Sequence, residues 1–219
     1  MKIFFLNSTL NIGGAERMHY EILRRLDSSI FIRKVCCLYG PGTIGRTLIA
    51  EGMDLSHGLI NNKYDIIGFY KLFRLLKEES ADVLCIQNSP LTLFWGFIFG
   101  RMLKVPCIIT VVHNMKDVDW GERFKSRIVN GFIMRRLDRI IVVSRARMNS
   151  LIMEYNLKPE KFVLIHNGID TDRVMDFKDI KIGDKVIVGI KKDDTLTCAA
   201  LSYNTKEVEI IGKYIYNGF

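Results

Sequence analysis

The chain has 219 residues, 48% of them hydrophobic and 26% charged, which suits a globular protein of one or two domains and excludes disordered or fibrous classes. No apolar run reaches the ~20 residues that a membrane-spanning helix needs, because the longest candidate, Leu91 to Gly100, stops at Arg101 and Lys104. A formal net charge of +8 points to an anionic partner.

Lys2 to Leu6 reads as a first strand, and its apolar part is too short for a secretory signal, so the expected location is the cytoplasm. Gly13-Gly14-Ala15-Glu16-Arg17 follows and opens a helical stretch, Glu16 to Leu26. Two glycines permit a tight turn whose main-chain N–H groups approach a ligand, and the helix behind them offers more unpaired donors to a phosphate. The plainer reading is that the pair only punctuates two elements.

Further strands are expected at Phe31 to Tyr39, Ala81 to Gln87, Pro106 to His113, Arg139 to Ser144 and Lys161 to Ile165. Helical periodicity marks Ile44 to Glu51, Ile66 to Glu78, Thr92 to Leu103, Glu122 to Leu137 and Arg145 to Tyr155. This alternation predicts an α/β fold: a doubly wound, Rossmann-like parallel sheet covered on both faces, with ligands gathering at the carboxyl ends of its strands. The glycine turn, Gln87-Asn88, His113-Asn114, Ser144 and His166-Asn167-Gly168 all fall at such ends.

Arg123, Lys125, Arg127, Arg135, Arg136, Arg139, Arg145 and Arg147 crowd one region that has few carboxylates. No nucleic-acid partner is expected, since aromatic residues are scarce there and no helix-turn-helix, zinc-finger or ribonucleoprotein pattern is present. Phe124, Ile128 and Phe132 recur at spacings of four among these cations, the pattern of a helix lying on an anionic membrane surface. A helix packed on its own sheet with a solvated basic face gives the same pattern.

Five cysteines, an odd number without a C-x-x-C pair, read as reduced core thiols. The four histidines, His19, His57, His113 and His166, show no metal-ligand spacing, and no metal site is expected. A G-x-S-x-G elbow, a Walker lysine and H-E-x-x-H are all missing, and the glycine pair lacks the third glycine of G-x-G-x-x-G. Domain boundaries are expected at 1–170, with a linker at 171–194 and an incomplete second unit at 195–219. In that unit Thr195 to Leu201 reads as a strand and Lys206 to Tyr216 as a helix.

Four stretches in order, Gly13 to Arg17, Val111-Val112-His113-Asn114, Ile140 to Ser144, and Pro159-Glu160-Lys161 leading to Ile165-His166-Asn167-Gly168-Ile169-Asp170, resemble family 4 (group 1) glycosyltransferases. The resemblance covers Met1 to Asp170, the first of two Rossmann-like domains of a GT-B fold, and implies a chain cut early in the second, donor-binding domain. It implies sugar transfer with retention from a nucleotide-sugar substrate to a glycan or lipid-linked acceptor, without a cofactor and usually without a metal. By the same resemblance Gly13 and Gly14 approach the donor diphosphate, His113 lies beside the transferred sugar, and Lys206 grips the donor phosphates. Glu16, Asn114, Ser144, Asn167 and Asp170 are expected to line the cleft.

Two departures weaken donor binding. Ala200 stands where the family has an arginine partner for that lysine, and no two glutamates have the family's spacing of eight. The expectation is therefore half an active site, inactive or weak alone, whose donor half lies in a separate chain or is lost. The alternative is a non-catalytic module bound to the inner face of a membrane.

Overall fold

The computed structural model describes residues 1–113 and 124–167, with backbone strands at 174–175, 186–192, 195–201 and 213–214. Two compact units divide the chain, Met1–His166 and Asn167–Phe219.

The first unit is built on seven parallel strands: β1 (Lys2–Asn7), β2 (Ile32–Cys37), β3 (Leu55–His57), β4 (Val83–Gln87), β5 (Cys107–Val112), β6 (Arg139–Val142) and β7 (Phe162–Leu164). Their order is β3-β2-β1-β4-β5-β6-β7. All neighbouring pairs run parallel, as in the doubly wound, Rossmann-like fold expected from the alternation. Winding reverses at β1, which lies between β2 and β4, so the crevice of such a sheet opens beyond the carboxyl ends of β1 and β4.

Successive strand residues point to opposite faces, and this period of two divides the core. Phe4, Leu6, Leu84, Ile86, Ile108, Val112, Ile140 and Val142 form one layer. That layer packs against α3 (Ile66–Glu79), α4 (Pro90–Met102), α5 (Phe124–Arg136) and α6 (Arg145–Tyr155) through residues such as Leu72, Phe97, Ile133 and Leu151. Ile3, Phe5, Val35, Cys37, Cys85 and Val111 face the other way, onto Tyr20 and Leu23 of α1 (Gly14–Arg25) and Ile44 and Leu48 of α2 (Gly42–Ala50). Cys36, Cys37 and Cys85 are buried free thiols in these layers, and burial pushes Cys85 up to about 12.

Helix starts follow local chemistry. Asp65 caps α3 by accepting from Gly68 N at 2.8 Å, and Ser144 caps α6 by accepting from Arg147 N at 3.2 Å. Ser80 and Asn156 end those helices in the left-handed region. α4 lies close on the sheet because Gly96 and Gly100 leave no side chain between them: a Cβ would come 2.9 Å from Leu6 Cδ2 or 2.8 Å from Ile108 Cδ1.

β3 is the strand that the sequence reading does not anticipate. Its three residues, Leu55–His57, are too few for a periodic signal, and it forms because the β2 edge offers partners from Val35 to Cys37. The second unit contains two antiparallel pairs. β10 (Thr195–Leu201) pairs with β9 (Val186–Lys192), which lies in the stretch read as linker and carries a β-branched run at Val186-Ile187-Val188. β11 (Lys213–Tyr214) pairs with β8 (Val174–Met175), so these two residues of the stretch expected to be helical are strand, and the rest of 206–216 lies outside the described residues.

Candidate functional site

The loop after β1 is shaped by its neighbours. Leu10 is fully buried, its carbonyl accepts from Ile44 N at 2.9 Å and Gly45 N at 3.3 Å, and Leu10 N donates to Pro41 O. This close approach requires Gly42, whose φ is +71° and whose Cβ would lie 2.4 Å from Leu10 O. The loop thus docked on the start of α2 delivers Gly13 as the N-cap of α1.

Gly13 has extended backbone, and no side chain caps the helix that follows. The first-turn N–H groups of α1 therefore project at the carboxyl edge of β1 without a side-chain acceptor. Gly14 is the first helical residue, and a Cβ there would meet nothing within 4 Å. Neither packing nor a positive φ demands glycine at this position, which leaves its open face to whatever approaches the backbone. Gly13 differs: a Cβ would come 2.3 Å from Glu16 Oε2, so the Glu16 carboxylate folds back over the turn.

Alternation then sets the floor. Asn7, Gln87 and His113 continue the strand face of Phe5, Cys85 and Val111, and they stand at or just beyond the carboxyl ends of the adjacent strands β1, β4 and β5. α1 lies across this face and presents Glu16, His19, Tyr20 and Leu23, spaced as one stripe of a helix. Gln87 joins the two layers: its Oε1 accepts from Ser8 N at 2.7 Å and its Nε2 donates to Glu16 Oε1 at 3.4 Å. His19 Nδ1 meets Asn7 Oδ1 at 3.0 Å, and the His19 ring meets that of His113 edge-on at 5.8 Å between centroids.

Asn7 and His19 are buried, and burial first, then the neighbouring His113, lowers His19 from 6.5 to about 4. Burial lowers His113 as well. Both imidazoles are therefore neutral at pH 7. Three buried polar atoms here, Asn7 Nδ2 and the two ring nitrogens of His113, have no hydrogen-bond partner. Buried polar groups are rarely left so, and together they offer a polar ligand donors and acceptors.

The expected site residues separate into groups. Gly13, Gly14, Glu16 and His113 come together around α1, with His113 against His19. Ser144 is 7% exposed and holds the start of α6 through its cap. Asn167 is exposed and begins the second unit. Asn114, Asp170 and Lys206 lie outside the described residues.

Asn7 and His19 are the additions that the structure makes. Their signals were a polar residue closing a buried strand and a histidine on the apolar stripe of α1; each alone reads as ordinary packing. Among the described residues no group of three His, Cys, Asp or Glu side chains is placed to hold a metal ion, and no helix is long and apolar enough to cross a membrane.

Comparisons with known proteins agree with this architecture. No curated protein matches the sequence. Among solved structures, the Anabaena protein HepE in complex with UDP-glucose superposes with a TM-score of 0.64 at 18% identity, over 78% of this chain and 45% of that one. A glycosyltransferase from Rickettsia africae gives 0.62 at 16% identity, covering 78% and 44%. A UDP-GlcNAc 2-epimerase from Neisseria meningitidis bound to UDP-GlcNAc gives 0.55 at 13% identity, covering 76% and 46%. At these identities the likeness is one of fold, and the chain spans under half the length of each of these relatives. The family model for Glycosyltransferase Family 4 matches residues 12–173, which span the glycine turn and β2 to β7, so the chain belongs to glycosyltransferase family 4.

Proposed function

We propose that this chain forms the acceptor-side wall of a retaining glycosyltransferase that moves a sugar from a nucleotide-sugar donor to a glycan or lipid-linked acceptor. The observation that carries this reading is the uncapped first turn of α1, with an open face at Gly14 and, under the same helix, a neutral His113 whose ring nitrogens are unpartnered. Phosphate charge is stabilised by main-chain N–H groups and the helix dipole at such a turn, and most strongly as charge builds on a leaving diphosphate. No side-chain nucleophile is needed for that stabilisation.

His113 in this scheme hydrogen-bonds a hydroxyl of the transferred sugar. Desolvation keeps its imidazole neutral, so it can accept at one nitrogen and donate at the other. His19, itself bonded to Asn7, packs edge-on against it. By the family resemblance we also assign Lys206 to the donor phosphates and Glu16, Asn114, Ser144, Asn167 and Asp170 to the lining of the cleft.

A diphosphate held mainly by one wall binds weakly, because pre-organised contacts from both sides supply much of the affinity and the rate. Calorimetric titration of the chain with nucleotide sugars and acceptors tests this. The expected outcome is acceptor heat with little nucleotide-sugar heat, and transfer that becomes measurable when a donor domain is supplied. Tight nucleotide-sugar binding by the chain alone, or no acceptor binding, would overturn the half-site.

A second reading, association with the inner face of a membrane, is favoured by α5, where Ile128, Val129 and Phe132 are exposed beside Arg136, whose guanidinium lies 3.6 Å over the Phe132 ring. Retention on anionic but not neutral vesicles, lost at high salt, is its signature.

A further inference from the structure

Gln87, the last residue of β4, lies beside the end of β1, and its side chain touches both ends of the loop that carries the glycine turn. The register of these two strands runs from Ile3 with Val83 to Leu6 with Ile86, so Ser8, where the loop begins, lies beyond it. Gln87 Oε1 accepts from Ser8 N there at 2.7 Å. On the opposite side Ser8 O accepts from Tyr39 N at 3.0 Å. A side-chain amide thus adds one bond to the sheet at the loop entry.

That bond fixes which way the amide faces. Ser8 N can only donate, so the amide oxygen must meet it and the NH2 group must turn away. Nε2 is thereby aimed at Glu16 Oε1, 3.4 Å distant, while Glu16 Oε2 occupies the space a Gly13 side chain would need. A staple for the loop entry requires the Ser8 bond alone. The second bond reaches a carboxylate held over the turn itself, and it is this bond that points beyond packing. The base of Gln87 is firm: its carbonyl accepts from Thr92 Oγ1 at 2.7 Å and from Ser89 N at 2.8 Å, and Thr92 is fully buried in the first turn of α4. A side chain on so fixed a base sets the place of what it holds.

We propose that Gln87 is the positioning residue of the glycine turn: it fixes the loop at Ser8 and the Glu16 carboxylate over Gly13, and so sets how the first-turn N–H groups of α1 meet a diphosphate. The anion arm of this proposal rests on the reading of α1 as the diphosphate turn. The placement of Ser8 and Glu16 does not.

Amide exchange and 1H–15N spectra of the 219-residue chain, with inorganic pyrophosphate as the anion probe, test it. Gln87→Met keeps the length of the side chain and removes both bonds. Ser8 exchange should then quicken about tenfold, the loss of one hydrogen bond, and the Gly13 and Gly14 amide resonances should move. Gln87→Glu with Glu16→Gln exchanges acid and amide across the pair, leaves an acceptor for Ser8 N, and should restore Ser8 protection and both glycine resonances. A double-mutant cycle reads the link to the anion. Glu16→Gln should raise pyrophosphate affinity about three- to tenfold in the parent and less than about twofold beside Gln87→Met, where the carboxylate is no longer held over the turn. Equal gains in the two backgrounds, parent-like Ser8 exchange in Gln87→Met, or an exchanged pair that restores neither Ser8 nor the glycines would overturn the proposal. Pyrophosphate that moves neither glycine amide in any variant would instead sink the diphosphate reading of α1, while Ser8 exchange and the rescue by the exchanged pair would still uphold the placement by Gln87.

Discussion

His19 Nδ1 lies 3.0 Å from Asn7 Oδ1, so the last residue of β1 sets which ring nitrogen of His19 carries the proton. With Asn7 Oδ1 accepting, Nδ1 donates and Nε2 remains the acceptor. A strand-end amide thereby orients a helix histidine, and that histidine packs on His113.

The burial of His19 has a pH consequence. The unfolded chain takes up a proton near 6.5, whereas the folded one resists until about 4. Stability from this group is complete above pH 6.5 and is lost as pH falls from there through about 4, by a total on the order of 3 kcal/mol. Thermal melts across that interval should show a falling Tm. His19→Gln keeps a donor for Asn7 without the titration, so its Tm should fall less steeply; equal slopes would refute the assignment.

Gly14→Ala separates folding from ligand approach. A Cβ at this position meets nothing within 4 Å and alanine is the better helix former, so stability should hold or rise by a few tenths of a kcal/mol. A methyl group in front of the first-turn N–H groups should nonetheless weaken nucleotide binding several-fold, on the order of 1 kcal/mol. Unchanged nucleotide affinity, measured with the donor domain supplied, would show that no phosphate approaches this turn.

Glu16→Gln tests the sign of the field at the same place. The carboxylate folds over Gly13, where a diphosphate would sit, and like charges a few ångströms apart near a protein surface repel by a few kcal/mol before screening. The amide can still accept from Gln87 through its Oε1. Nucleotide affinity is expected to rise about three- to tenfold at low salt and the gain to shrink as salt increases. A loss of affinity instead would mean that Glu16 contacts the ligand directly.

Gly100→Ala bears on the fold. The new Cβ lies 2.8 Å from Ile108 Cδ1 and 2.9 Å from Leu84 Cδ2, inside a packed layer. Overpacking costs typically ~1–3 kcal/mol, against up to ~1 kcal/mol of helix propensity gained, so a net loss of about 1–2 kcal/mol should appear in urea melts. A more stable variant would show that α4 can rise off the sheet freely.

The class of fold was legible from residues in sequence order, because each buried strand announces itself by apolar continuity and each helix by its 3.6-residue period, both local properties. Gly13-Gly14 and His113 were visible for the same reason: they punctuate the ends of such elements. β3 was not, since three residues carry no period and the strand exists only because β2 leaves an edge to pair with. Asn7 with His19, and Gln87 with Glu16, were equally hidden. Those contacts depend on the order in which β1, β4 and β5 lie side by side and on α1 crossing them, and strand order is a long-range outcome that no spacing along the chain encodes. Amphipathic pattern alone also favoured α5 as the apolar surface, while burial showed a second exposed group, Tyr64, Ile66, Ile67 and Tyr70, among the described residues. Sequence thus determined which segments form strands, helices and a glycine turn, because those depend on nearest neighbours. Tertiary structure decided which polar groups meet beneath α1 and which apolar groups stay uncovered, because both depend on what packs across the sheet.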